Sequence, residues 1–301
     1  MESILITGSN GFLGLNLANS LIQKNYDVFG ISHGDSKNPA IKQIHNDIKS
    51  VTDAPDTLSS ILHFAALTDI QYCQDHPKQC IDTNVIGTQN MLEIARKNDS
   101  KFIFASTSHV YGNPVLLPIT EDAPLNPNSI HATSKVCGEL LCETYANSYG
   151  LDVIIVRLFS IYGPGSPSYS IIFRIISQIL YKEKIILGNM ESKRDFLHIS
   201  DFVSAIELLL NSNMKGCSKF NLGYGKGISI GDLCTKLIRI SGKNMLMECD
   251  EKLLRNNDIK ELVCNNSKLK QLGWAPKVIL DEGLMQVFQW FKLNYGTDVI
   301  V

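Results

Sequence analysis

The chain has 301 residues, is 44% hydrophobic and carries a formal charge of -2, enough for one large domain or two coupled ones around a real core. No basic bias points to nucleic acid, no apolar run reaches membrane-spanning length, and the N-terminus enters an apolar strand without a basic region or cleavage site, so no signal peptide is expected. Eight cysteines stand without CxxC pairs or nearby histidines, which predicts free thiols in a reducing cytosol, with neither disulfides nor a metal site.

The first informative stretch is Ser3-Ile4-Leu5-Ile6-Thr7-Gly8-Ser9-Asn10-Gly11-Phe12-Leu13-Gly14. A short apolar run ends in a glycine-rich turn, and an amphipathic segment follows through Lys24. Strand, turn and helix form the context that a phosphate-binding loop requires. Gly8 allows the sharp turn, Gly11 the approach of a pyrophosphate and Gly14 the packing of the helix, whose N-terminus offers free N–H groups to the anion. Gly8, Asn10, Gly11, Phe12 and Leu13 are therefore candidate dinucleotide-binding residues.

Further along, apolar strands are predicted over 26–31, 60–66, 101–106 and 153–158, with helical spacing over 81–96 and 133–149. This alternation argues a parallel sheet covered by helices on both faces. Ligands of such sheets bind beyond the carboxyl ends of the strands. Asp47 and Ile48 follow the third strand and are placed to reach an adenine, and Ala65, Ala66 and Thr68 follow the fourth, where small residues let a dinucleotide pass. Ser106 to Gly112 follow the fifth, and His131 and Lys135 lie four apart on one face of the next helix. After Gly163-Pro164-Gly165 the pattern loosens into helices near 171–181 and 229–240, short strands, and a closing amphipathic helix over 281–294. We expect a doubly wound α/β fold: residues 1–165 form a dinucleotide-binding domain that also receives parts of 195–225, and 166–301 form mainly a smaller, interleaved α/β lobe.

Six segments in order resemble the extended short-chain dehydrogenase/reductases, the nucleotide-sugar epimerase/dehydratase family. They are Thr7-Gly8-x-x-Gly11-Phe12-Leu13-Gly14, Asn84-Val85-x-Gly87-Thr88-x-Asn90, Ser106-Thr107 before Val110-Tyr111-Gly112, Arg157-x-Phe159-x-x-Tyr162-Gly163-Pro164-Gly165, Arg194-Asp195-Phe196-x-His198-x-x-Asp201, and Leu272-Gly273-Trp274-x-Pro276. The resemblance implies a Rossmann sheet with a substrate lobe, an NAD or NADP cofactor contacted also by Asn84, a nucleotide-sugar substrate, a cytoplasmic location and a homodimer. It further implies that Thr107 bonds the reacting sugar oxygen and that Lys135 holds the nicotinamide ribose and favours deprotonation of a neighbouring acid/base group. Arg194 and Arg255 would pair with substrate phosphates.

Four departures narrow what the resemblance implies. The family's catalytic tyrosine position is His131, whose imidazole titrates near pH 6.5 when unperturbed and whose pKa Lys135 would lower. The acidic pair of the 4,6-dehydratases is Ser108 and His109, so dehydration is not expected, and a usual substrate-contacting asparagine is Ser160, which alters the expected contacts to the substrate. Ser32, followed by His33, stands where NAD-preferring members carry an aspartate. The leading expectation is hydride transfer at C4 of a nucleotide-activated hexose by a 4-ketosugar reductase or 4-dehydrogenase. A 4-epimerase is the runner-up, and a non-catalytic dinucleotide sensor is the alternative of another class.

Overall fold

The structure, a computed structural model, describes residues 2–45, 47–52, 54–254 and 258–296. Two compact units emerge. The first holds the chain up to Gly112, then Pro124–Leu158 and Val203–Asn221; the second holds Asn113–Ala123, Phe159–Phe202 and the chain from Leu222 onward. The chain thus leaves the first unit twice, after Gly112 and again after Leu158, before returning to it at Val203.

In chain order the first unit begins β1 (Ser3–Thr7), α1 (Phe12–Gln23), β2 (Asp27–Ile31), β3 (Lys42–His45) and β4 (Leu58–His63). It continues with α2 (Ile70–Asp75), α3 (Pro77–Ile81), a π turn over Asp82–Ile86, α4 (Gly87–Asn98), β5 (Lys101–Thr107), a 3-10 turn over Ser108–Tyr111, α5 (Ile130–Tyr149) and β6 (Val153–Leu158). Then follow β7 (Ser160–Tyr162), α6 (Ile171–Tyr181), β8 (Lys184–Leu187), β9 (Lys193–His198), α7 (Ile199–Leu210) and β10 (Cys217–Leu222). The last elements are β11 (Gly227–Ser229), α8 (Ile230–Ser241), β12 (Leu246–Cys249), β13 (Glu261–Leu262), α9 (Ser267–Gln271) and α10 (Leu280–Tyr295).

The first unit is built on a seven-stranded sheet of order β10-β6-β5-β4-β1-β2-β3. The pairs from β6 across to β3 are all parallel. The chain runs from β1 outward to β3, then returns to β4 on the other side of β1, so the switch point lies between β1 and β4 and opens a crevice beyond their carboxyl ends. Near-continuous apolar strands such as Ile4-Leu5-Ile6 and Phe102-Ile103-Phe104 are buried, as expected of a sheet covered on both faces. Leu17, Ala18 and Leu21 of α1 and Met91, Leu92 and Ala95 of α4, spaced three or four apart, are the buried helix faces.

The second unit centres on β9, paired with β7, β11 and β13. Ile172, Ile176, Leu233, Leu237, Leu284 and Phe288 of α6, α8 and α10 form its core. Asp195 is buried in β9 and accepts the backbone N–H groups of Tyr224 (2.6 Å), Gly225 (2.8 Å) and Cys264 (3.0 Å). Burial still pushes its carboxyl up to about 6 against those three donors.

Two elements differ from sequence expectation. The strand expected over 60–66 ends at His63, leaving Ala65 and Ala66 half-buried in the segment that follows. The helix expected over 81–96 is interrupted by the π turn at Asp82–Ile86, because the Thr88 hydroxyl donates to the Asn84 carbonyl (2.6 Å) and the Asn84 side chain leaves the helix for other partners.

Candidate active site

The glycine turn is built around two close approaches. Gly8 has φ +71°, and its N–H donates to the Ile31 carbonyl (2.7 Å), which bends the chain sharply off β1. A Cβ on Gly14 would stand 2.3 Å from the Gly8 carbonyl oxygen, so the close approach it permits is of helix to turn rather than helix to sheet. Gly11 precedes α1 as its N-cap and brings no side-chain acceptor, and the first turn of Phe12 and Leu13 carries no acidic residue. The helix N-terminus is thereby left to an external anion, which fits a dinucleotide pyrophosphate.

Asn10 straps the loop after β2 to this turn. Its Nδ2 donates to the carbonyls of His33 (3.1 Å) and Asp35 (2.9 Å), its Oδ1 accepts the Lys37 N–H (2.9 Å), and its own N–H donates to the Ser32 hydroxyl (3.2 Å). Ser32 therefore fixes backbone at the strand end, while His33 is exposed. Asp47 is held over its own loop, accepting the Lys49 N–H (2.9 Å). The Ile48 side chain turns instead into the core, where a Cβ on Gly87 would meet it at 2.5 Å. Thr68 is exposed at the far end of the Ala65-Ala66 stretch.

A buried polar chain joins the end of β1 to the helices. The Ala65 N–H donates to the Thr7 hydroxyl (3.0 Å), which lies 2.7 Å from His63 Nδ1; His63 Nε2 lies 3.0 Å from the Thr88 hydroxyl. Burial, with Lys135 adding to it, lowers the His63 pKa to about 3. Asn84 clamps the next turn from both sides, accepting the Leu67 N–H (2.8 Å) and donating to the Leu67 carbonyl (2.9 Å) and the Ser134 hydroxyl (2.9 Å).

His131, one turn before Lys135 on α5, sets its Nδ1 3.1 Å from the same Leu67 carbonyl. Both side chains are buried. The His131 pKa falls to about 4, and burial contributes more to this than the positive charge of Lys135. Lys135 Nζ donates to the Ala105 carbonyl (2.8 Å) over the face of Phe104, and burial lowers its pKa to about 8. Two of its three N–H donors are left for other partners. Thr107, partly exposed at the end of β5, accepts the His109 N–H (3.3 Å), so its own proton is free to be donated. Ser108 is buried in the turn that follows.

The fold thus gathers the glycine turn, Ser32, Ala65, Ala66, Asn84, Thr107, His131 and Lys135 within the first unit. Ser160 and Arg194 lie in the second. Ser160 opens β7 and is partly exposed, and Arg194 Nη2 pairs with Asp258 (3.2 Å). Arg255 lies outside the described residues. His63 and Ser134 carry no site signal in the sequence, and Leu67 and Thr88 only as parts of longer stretches; proximity in space reveals the polar network they form. Below Thr107, Glu139 accepts Ser106 and forms a buried bidentate pair with Arg157 (3.0 and 2.7 Å), whose Nη1 donates to Tyr111 (2.8 Å).

One physical consequence concerns acid stability. Two buried histidines with folded pKa values of about 3 and 4 stay neutral where an unfolded chain would protonate them. Their contribution is complete above pH 6.5 and is lost as pH falls toward the folded values, at about 1.4 kcal/mol per pH unit per ring. The urea midpoint is expected to drop between pH 7 and pH 5, and His63→Gln is expected to flatten that dependence; an unchanged slope in the variant would contradict the assignment for His63.

The sheet order and the glycine turn at its switch point define a Rossmann-type α/β protein. Residues 5–287 match the family model described as GDP-mannose 4,6 dehydratase, and the chain belongs to that family, within the extended short-chain dehydrogenase/reductases. A relative described as a putative UDP-glucose 4-epimerase, from Methanocaldococcus jannaschii, is 31% identical over 98% of this chain and 100% of its own. The UDP-glucose 4-epimerase of Thermotoga maritima, solved with UDP-glucose, has a TM-score of 0.88 at 27% identity, covering 97% of this chain and 99% of its own. The UDP-glucuronic acid 4-epimerase of Bacillus cereus, solved with UDP-glucuronic acid and NAD, reaches 0.89 at 27% identity with the same coverage.

Proposed function

We propose that this protein is an NAD(P)-dependent enzyme that oxidises and re-reduces C4 of a UDP-activated hexose or hexuronate, acting as a 4-epimerase. The observation that carries this reading is the buried placement of His131 against the Leu67 carbonyl and one turn from Lys135, which favours its neutral ring. With a pKa of about 4, its ring is unprotonated at pH 7 and is a proton acceptor there. A 4-ketosugar reductase needs a proton donor at the start of its cycle, and the imidazolium is scarce at that pH. An oxidation-first cycle needs an acceptor, and the proton taken from the C4 hydroxyl is returned in the second half. Similarity to 4-epimerases supports the same choice, and the absence of a carboxylate at Ser108 and His109 argues against dehydration.

Bound nicotinamide would supply the hydride acceptor and donor. Gly8, Asn10, Gly11, Phe12 and Leu13 would hold the pyrophosphate. Ser32, His33, Asp47 and the backbone at Ile48 would border the adenosine; Ala65, Ala66 and Thr68 would line the passage, and Asn84, buried behind them, would hold the Leu67 backbone. Thr107 would donate to the C4 oxygen, His131 would take its proton, and Lys135 would hold the ribose. Ser108, His109 and Ser160 would contact the sugar. Arg194, and by similarity Arg255, would pair with the diphosphate.

The test is to purify the protein, look for a co-purified nicotinamide and incubate it with a panel of nucleotide sugars under both cofactors. Inversion at C4 with no net nicotinamide absorbance change is expected. A stoichiometric absorbance change with a 4-ketosugar would establish the reductase or dehydrogenase, and cofactor binding without turnover on any sugar would leave a sensor. Gly11→Val checks the cofactor site: each charge-assisted hydrogen bond that a displaced pyrophosphate gives up is worth about 1.5–3 kcal/mol, roughly tenfold or more in Kd. Unchanged affinity in the folded variant would remove the glycine turn from the site.

A further inference from the structure

A histidine used as a proton acceptor works through one nitrogen, and which one is set by the hydrogen bond that the other makes. His131 Nδ1 lies 3.1 Å from the Leu67 carbonyl oxygen, and a carbonyl can only accept. The same oxygen also accepts Asn84 Nδ2 (2.9 Å) and the Cys73 thiol (3.5 Å), while the Leu67 N–H is held by Asn84 Oδ1 (2.8 Å). Both backbone polar groups of Leu67 are thereby held by the Asn84 amide. Asn84 also donates to Ser134 Oγ (2.9 Å), whose hydroxyl donates to the His131 carbonyl (2.7 Å), so one buried amide ties down both the acceptor and the helix turn that carries the ring.

We propose that the Leu67 carbonyl, held by Asn84, fixes His131 as the Nδ1–H tautomer and so makes Nε2 the nitrogen that takes the substrate proton. Asn84 and Ser134 are then positioning residues: they touch the ring's partner and its backbone rather than the reacting atoms. The proposal rests on the reading of His131 as the proton acceptor, but the state of the ring is measurable without turnover.

The experiment is nitrogen NMR on holoenzyme labelled in the histidine rings, near pH 7, with the His131 signals assigned by their loss in His131→Ala. The expected result is a protonated, pyrrole-like Nδ1 and an unprotonated, pyridine-like Nε2. Ser134→Ala and Asn84→Ala are expected to admit the other tautomer progressively, with kcat falling about ten- to a hundredfold in Asn84→Ala, part of what general acid–base catalysis contributes. A proton on Nε2 in the wild type overturns the proposal whatever the variants do, including the case in which Asn84→Ala does not fold. A Ser134→Ala protein that lowers kcat while the wild-type tautomer persists would also overturn the positioning role. If the wild type carries Nδ1–H but His131→Ala turns over normally, the catalytic reading falls and the tautomer assignment stands. If Nε2 carries the proton and His131→Ala is inactive, the reverse holds.

Discussion

His131→Ala is expected to lower kcat by about a hundred- to ten-thousand-fold, the range that a positioned acid–base group contributes, while cofactor affinity stays close to that of the wild type. The ring lies one helical turn from Lys135 and against Leu67, remote in the chain from the glycine turn that would hold the pyrophosphate. The same variant series has a pH signature. Only the neutral ring accepts a proton, so the oxidative half-reaction is expected to be level near neutrality and to fall as pH drops toward the lowered pKa of about 4. Above about pH 8 a second change is expected as the buried Lys135 loses its proton. His131→Tyr restores the residue that the family carries here; it should retain activity and move the acidic limb. Were His131→Ala to keep most of its kcat, the proton would have to pass through Thr107, the ribose and Lys135, or through a bound water, and the histidine mechanism would be abandoned with the fold untouched.

The second large effect is structural. Arg157→Met is expected to destabilise the protein by about 3–5 kcal/mol, because it leaves the Glu139 carboxylate buried without its countercharge. Both partners are nearly inaccessible, at 2% and 1% side-chain exposure, and the pair is bidentate. The pair ties β6 to α5 beside the end of β5: Glu139 also accepts Ser106, the neighbour of Thr107, and Arg157 also reaches Tyr111, which donates to Asn221 (2.7 Å). Adding Glu139→Gln to Arg157→Met should recover much of the stability, since the cost lies in the orphaned charge rather than in the missing hydrogen bonds. The control is Arg96→Met, which breaks an exposed pair at 41% and 38% side-chain exposure and should leave the urea midpoint nearly unchanged. Urea midpoints read all four proteins, and equal destabilisation by Arg157→Met and Arg96→Met would show that the buried pair is not what holds β6 to α5.

Much of the architecture is legible in the chain itself. Apolar runs such as Ile4-Leu5-Ile6 and Val153–Val156, short and rich in β-branched residues, read as buried strands, and Leu17, Ala18 and Leu21 fall on one helix face; these are local consequences of backbone period. The glycine turn is equally legible, since a sharp turn and a close helix approach need residues without Cβ within a few positions. The pairing of His131 with Lys135 follows from helix spacing alone.

What only the tertiary structure decides is where groups far apart in sequence meet. No local pattern announces that Leu67 presents its carbonyl to His131, 64 positions away, or that Asn84 leaves its helix to hold it. The depth of the His131 pKa shift is also beyond the sequence, because its larger cause is burial, which depends on every element packed around the ring rather than on the single charge four residues on. Its position after a strand puts Ile48 beside an adenine, but packing against Gly87 turns its side chain into the core. Arg157, in the sequence only part of a landmark, is half of a buried ion pair, because the partner that lets a guanidinium leave water is supplied by a neighbouring element and not by the adjacent residues.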